Sequence, residues 1–418
     1  MAAYKSAEKV STLGSVYKSL DSAFKHFIDD IIENNGPASC LLRLLKLPET
    51  TDFLTPMFSA LLDTYDVDNH YFDINGNHLN ITLEDVLFVT GLPINGKALI
   101  SNVSRDRHAF NRVFNYPIGT YRVAIGTLRE IGSDTNKSNK ERLVAVLLIV
   151  VACFILPSYD NHCMQCCYVQ FVENLEEVND YAWGAALLAF LYCGLDKKQK
   201  RYAEGNLWAL LCFFSIRIPR LCEAVGLHIE WENLQAPLLI SYMEKMESVS
   251  ENLRPTYLKK VESLLAKLED NDIKWHPYVI SMLDASMRGD LPYVTRLAPV
   301  ICMSYVAYHQ PLRLLKQFQV LDEYSNISSI EWNPPKIRLT RNSGNERQNF
   351  LKIYYNEHKL WENAELAEMY IRKIKSGAAQ PPPYNAGSGS SAGIKEETQV
   401  IVIDEDSPPT EHEMINSV

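Results

Sequence analysis

The sequence predicts a mainly α fold: a single large helical domain with a small β-hairpin near residues 71–81, plus a disordered acidic C-terminal tail. Three observations predict it. Long apolar segments recur at helical spacing through the first 376 residues. The pair Asn75-Gly76 sits between two short β-favouring runs, the pattern of a tight hairpin. After Gly377 the composition turns to proline, glycine, serine and acid, which cannot offset the entropy of ordering.

In order along the chain, residues 1–36 carry an N-terminal helix. Leu13, Val16, Leu20, Phe24, Phe27 and Ile31 form one stripe, stopped by Asn34-Asn35-Gly36-Pro37. The main domain spans 37–342. It opens with short helices at Cys40–Leu47 and Pro56–Tyr65, then the hairpin of Tyr71–Ile74 and His78–Ile81. Thr82 reads as an N-cap, with Glu84 and Asp85 in a first turn where the helix dipole favours negative charge. That helix ends at Gly91, just before Pro93. Central helices are expected at Leu143–Leu156, Tyr168–Leu175, Tyr181–Leu195 and Gly205–Phe214, with at least two more between 255 and 322. The stretch Tyr181–Ala186 sets small residues beside Trp183, which suits close backbone approach on one side and an aromatic plug on the other. Residues 343–376 read as a charged amphipathic helix with Phe350, Ile353, Tyr354, Leu360, Leu366 and Ile371 on its apolar side. Residues 377–418 are the tail.

Of the net charge of −10, the tail's seven acidic residues and one lysine account for −6, so residues 1–376 carry only −4. Charge gives no support to a strongly basic nucleic-acid-binding domain. Nine cysteines without framework spacing read as reduced, buried thiols. Met1–Lys5 has no apolar signal core, and Leu143–Leu156 falls short of the ~20 residues that span a bilayer, so a soluble, intracellular protein with no membrane partner is expected.

Several blocks, taken in order, resemble the plant mobile domain family. They are Ile81–Val86 running into Thr90–Gly96, Tyr181–Tyr192, Trp275-His276-Pro277-Tyr278, and Tyr308–Phe318 with Pro311, Arg313, Leu314, Lys316 and Gln317. The likeness covers roughly residues 40–325. The chain departs from the family at Asn77, where an acid is common, at Lys316, where Arg is usual, and at Gln319, where Gly is usual. The resemblance implies a mainly helical nuclear domain linked to transposon silencing, genome stability and meristem maintenance, with a protein phosphatase 7-like protein as partner. It implies no catalytic residues.

The resemblance extends to members fused to a phosphatase and to a family label of aminotransferase-like, and each of those chemistries needs particular residues. A dimetal phosphatase needs Asp, His and Asn ligands on separate loops. Here Gly76-Asn77-His78 is followed by Leu79, and His78 reads as a hairpin side chain. A pyridoxal enzyme needs a buried lysine and a phosphate cup; Lys197, Lys198 and Lys200 lie in a polar run without one. His162-Cys163-x-x-Cys166-Cys167 lacks the second pair of a structural zinc site. Trp183, Trp208, Trp231 and Trp275 could stack bases, but Trp183 and Trp208 read as core. Arg217 with Arg220, and Arg313 with Lys316, are the candidate anion contacts, with surface or ion-pair roles favoured. No enzyme, cofactor or metal site is expected.

The tail carries the remaining chemistry. Val400-Ile401-Val402-Ile403 is a β-favouring run flanked by Asp404-Glu405-Asp406, a pattern that adds as a strand to a sheet edge with a basic rim. It resembles the motif that binds SUMO, the small ubiquitin-like modifier. Upstream, Ile394-Lys395-Glu396-Glu397 looks like the modifier's attachment consensus, with Lys395 as acceptor. Ser407-Pro408 suits a proline-directed kinase, whose phosphate at Ser407 would extend the acidic run. The expectation is a non-enzymatic nuclear interaction protein. The alternative is a transposon-derived nucleic-acid-binding protein.

Overall fold

The computed structural model describes residues 5–6, 11–49, 55–101, 107–116, 120–157, 163–196, 202–247, 254–311, 314–318 and 349–363. Asp21 divides the N-terminal run into two helices, α1 (Ser11–Ser19) and α2 (Ser22–Glu33), where one was expected. Its carboxylate accepts the Phe24 N–H at 3.0 Å and so starts a new helix. Both helices still turn Leu13, Val16, Leu20, Phe24 and Ile28 into the core. The N-terminal pair β1 (Lys5–Ser6) runs parallel to β7 (Tyr202–Ala203).

The short helices α3 (Ser39–Leu42) and α4 (Thr55–Asp63) precede a three-stranded antiparallel sheet of β2 (Tyr65–Asp66), β3 (Tyr71–Ile74) and β4 (Asn77–Leu79). Asn75 and Gly76 have φ of 52° and 80°, the pair of positive values that a type I′ turn demands. Phe72, Ile74 and Leu79 face the core while His78 faces out. α5 (Leu83–Thr90) follows and ends at Gly91.

α6 (Arg107–Phe114), the β5 (Arg122–Ala124) strand paired with β6 (Cys163–Gln165), and α7 (Ile125–Ser133) form one flank. α8 (Asn139–Val150) begins at a capping box in which Ser138 N–H donates to Glu141 at 3.0 Å and Glu141 N–H to Ser138 Oγ at 3.2 Å. It widens into a π turn over Val151–Ile155. The helix expected at Tyr168–Leu175 is instead a 3-10 segment, Cys166–Phe171. Gln170 donates its side-chain amide to Cys167 O at 2.6 Å, the carbonyl that an α-helix would offer to residue 171.

α9 (Trp183–Leu195) is the buried axis, packed against α5, the π turn and a later hairpin. Gly184 permits this: a Cβ there would meet Ile94, Pro93 O and Val86 at 2.9–3.0 Å. Trp183 fills the other side, donating its indole N–H to Val178 O at 2.7 Å. α10 (Leu207–Arg217), capped by Asn206, packs against α5 and leads through α11 (Arg220–Glu223) to α12 (Leu238–Glu247), α13 (Arg254–Leu265) and α14 (Ala285–Arg288).

Residues 298–309 hold a feature that helical expectations missed. β8 (Ala298–Cys302) and β9 (Tyr305–His309) pair antiparallel with Val300 opposite Ala307. β-Branched Val300, Ile301 and Val306 favour the strands, and Met303 turns between them at φ 57°. After α15 (Leu315–Phe318), the expected long helix appears as α16 (Phe350–Ile353) and α17 (Tyr355–Glu362), broken at Tyr354. Tyr354 donates its hydroxyl to Ser304 O at 3.0 Å, and Trp361 donates to Gly96 O at 3.0 Å. The segment therefore folds onto the body, with Phe350, Tyr354 and Trp361 buried while Leu360 is exposed. Leu366 and Ile371 lie outside the described residues.

Candidate functional site

The N-terminus of α5 organises a buried polar network. Asp85 is wholly buried and sits where the capping box places an acid. Its Oδ1 accepts Arg217 Nε at 3.1 Å, Arg217 Nη2 at 2.7 Å and the Tyr278 hydroxyl at 2.8 Å. Its Oδ2 accepts the Thr82 N–H at 2.8 Å and hydroxyl at 2.7 Å. Arg217, also wholly buried, spends Nη1 on Trp275 O at 2.7 Å, while its own carbonyl accepts Lys274 N–H at 2.7 Å. Nearby, Gln317 closes a two-way bond with the Asn80 backbone at 2.9 and 3.0 Å. Tyr192 donates to Ile81 O.

His309 joins the same network as a neutral ring. Nδ1 faces Arg296 O at 2.6 Å and Nε2 accepts the Leu83 N–H at 3.2 Å, which assigns the proton to Nδ1. Burial lowers its pKa to about 4. The four stretches on which the family resemblance rests thus meet at the start of α5. They hold the α5 N-terminus, α9, the 275–278 turn and the 308–318 segment together.

Beside this network opens a cleft of about 1130 Å³, bordered by Arg43, Lys97, Asp290, Arg296, His358 and Trp361. Arg43 pairs with Asp284 at 3.0 Å, and Lys97 with Glu177 at 3.0 Å and Asp180 at 3.3 Å. Asp290 accepts the Ile94 N–H at 2.6 Å, and burial raises its pKa despite that bond. The Cys40 thiol on the wall is pushed up to about 12 by burial, which removes it as a nucleophile at neutral pH. A second pocket, about 80 Å³, is bordered by His70, Asp196 and Tyr308, with His70 Nδ1 3.0 Å from Asp196.

The tail residues singled out from the sequence, Lys395, Val400, Ile401, Val402, Ile403, Asp404, Glu405, Asp406 and Ser407, lie outside the described residues, as do Arg313, Lys197, Lys198 and Lys200. His78 stacks on Tyr71 at 4.1 Å on the hairpin surface. Among the described residues no three His, Cys, Asp or Glu side chains are placed to hold a metal ion, and no helix is long and apolar enough to cross a membrane. All nine cysteines are unbridged. Trp183, Trp208 and Trp231 are core. Arg220 and Lys316 form surface ion pairs with Asp272 at 2.9 Å and Asp270 at 2.6 Å. Sequence reasoning missed the Asp85–Arg217 pairing, Arg296 and Trp361. An arginine ending the otherwise apolar α10 was the available signal, since a buried cation requires a partner.

A helical body whose shared segments close on a buried ion pair, with an open cleft at its side, is the architecture in hand. The chain belongs to the plant mobile domain family, whose family model matches residues 51–371 and so takes in α16 and α17. Among curated relatives it is similar to Protein MAINTENANCE OF MERISTEMS of Arabidopsis thaliana, 24% identical over 63% of this chain and 56% of that protein. It is likewise similar to Protein MAIN-LIKE 2, 25% identical over 64% of this chain and 42% of the relative. The Serine/threonine-protein phosphatase 7 long form homolog is 23% identical over 63% of this chain and 21% of its own length. The chain therefore spans less than two thirds of the length of these relatives. No solved structure matches it.

Proposed function

We propose that this chain is a non-enzymatic nuclear interaction protein that serves transposon silencing, genome stability and meristem maintenance by docking partners. The observation that carries this reading is where the family-defining segments point. Thr82 and Tyr278 bond Asp85, while Tyr192, His309 and Gln317 bond the backbone of residues 80–83, so these side chains build a scaffold rather than face a reacting group. The name of the relative MAINTENANCE OF MERISTEMS supports the meristem role. The phosphatase 7 long form homolog, another relative, gives a reason to test a protein phosphatase 7-like partner.

In this reading the scaffold holds a partner, and the tail recruits the SUMO system through Val400–Ile403, with Lys395 as an acceptor and Ser407 as a phosphorylation site. Affinity purification from plant nuclei with the full chain and with residues 1–376 tests it. Partners retained by both belong to the body, and SUMO-linked proteins are expected only with the full chain. Titration of SUMO against a Val400→Ala, Val402→Ala, Ile403→Ala variant should show no binding; affinity equal to the unaltered chain would remove the tail role. A salt-steep gel shift by residues 1–376 would replace the docking reading with nucleic-acid binding.

A further inference from the structure

Among the described residues that border the cleft, Arg296 is a cation whose N–H groups the fold leaves without hydrogen-bond partners. Arg296 is only 7% exposed, and neither Nε nor Nη1 has a hydrogen-bond partner. Its backbone is fixed, with N–H donating to Tyr293 O at 3.1 Å and the carbonyl held by His309. The rings of Trp361 and Tyr293 lie 4.4 and 4.9 Å from its guanidinium carbon. Aromatic faces attract the charge but leave its N–H groups unsatisfied. A guanidinium stays protonated in a protein, and buried N–H groups left without an acceptor are costly. The other cations on the cleft wall are already matched, Arg43 by Asp284 and Lys97 by Glu177 and Asp180. The nearby Asp290 supplies a counter-charge, but it accepts the Ile94 N–H rather than Nε or Nη1 of Arg296.

We propose that this cleft binds a carboxylate group, with Arg296 as its anion contact. A doubly charged phosphate would bring excess negative charge beside Asp180, Asp290 and Glu362, which already border the cleft. The planar edge of a guanidinium also matches a planar carboxylate. At about 1130 Å³ the cleft exceeds what one small acid fills, which favours an acidic side chain carried on a peptide. This assignment gives docking a chemistry, and it concerns the body alone, so its failure leaves tail-dependent capture untouched.

Isothermal titration of the full chain tests it with four probes: a blocked LAEAL peptide, its LAQAL counterpart, glutarate and inorganic phosphate. The acidic peptide should bind about ten- to a hundred-fold tighter than the amide peptide, the range of one charge-assisted hydrogen-bonded contact. Arg296→Met should erase that difference, and Arg296→Lys should keep part of it. Without ligand, Arg296→Met should melt no lower than the parent, because it replaces buried N–H groups that lack acceptors with an apolar chain. Should that variant not fold, Arg296→Lys carries the comparison. Peptide tighter than glutarate assigns the carboxylate to a protein chain, and equal affinities assign it to a free small acid. Equal binding of the two peptides, preference for phosphate, or unchanged binding by Arg296→Met would overturn the proposal.

Discussion

Removing the Asp85 carboxylate strands donors from Arg217, Tyr278 and Thr82 inside the core. Breaking a buried pair from one side typically costs roughly 3–5 kcal/mol, so Asp85→Ala should lower unfolding free energy by about that much in a urea titration. A loss below about 1 kcal/mol would mean the pair is not what holds these segments. The histidines give a second residue-scale prediction. His309 and His276 have pKa values lowered from near 6.5 to about 4 by burial. Between pH 6.5 and 4 the unfolded chain binds more protons than the folded one, so stability is full above 6.5 and falls as pH drops through that window. Each such histidine contributes a slope of up to ~1.4 kcal/mol per pH unit. The urea midpoint at pH 5 should lie below that at pH 7, and His309→Gln should flatten the difference. An unchanged difference would put His309 outside that linkage. At this scale the sequence offered types but not pairings. Thr82 and Asp85 were legible as a helix start, whereas the partnership with Arg217 spans 132 positions of chain and needs the fold to bring it together.

Among the elements, α9 carries the packing, and Gly184 is where it meets α5 and the turn that follows it. A Cβ there lies 2.9 Å from Ile94 and 3.0 Å from both Pro93 O and Val86. Gly184→Val should therefore destabilise by roughly 1–3 kcal/mol through overpacking, read as a lower melting temperature; a melting temperature equal to the parent's would show that α5 and α9 slide apart freely. The small-residue stretch announced this contact, and the Asn75-Gly76 turn announced its hairpin, because both are local backbone demands. The β8–β9 hairpin was not legible, since its turn runs through Met303 and Ser304 rather than a turn dipeptide and its strands are apolar on nearly every residue. The last helices misled for another reason. Their apolar spacing marked one long helix, but Tyr354 and Trp361 anchor to Ser304 and Gly96, bonds that only the folded body supplies. Trp361→Ala should expose the cleft wall and cost about 3–5 kcal/mol, and protease should then cut near residues 349–363 first. Resistance equal to the parent would show that this segment holds without its indole anchor.

For the molecule as a whole, the mainly helical class followed from long apolar runs, and membership of the plant mobile domain family followed from four short blocks in order. The blocks made the family readable while hiding their purpose, because a motif lists residues and not the distances between them. Folded, they brace the start of α5, where Asp85 holds Arg217, while Arg296, with Nε and Nη1 lacking acceptors, stands in the adjoining cleft. The central claim is that this network holds the scaffold and takes no direct part in partner capture. The most direct measurement replaces its polar core with apolar residues, Asp85→Leu with Arg217→Met and Tyr278→Phe, and compares stability and capture from plant nuclei with the parent chain. Swapping all partners of a buried ionic group together is often far milder than removing one. The triple variant should therefore be more stable than Asp85→Ala and retain the same partners. A triple variant that folds with parental near-ultraviolet circular dichroism but captures none of them would contradict the account.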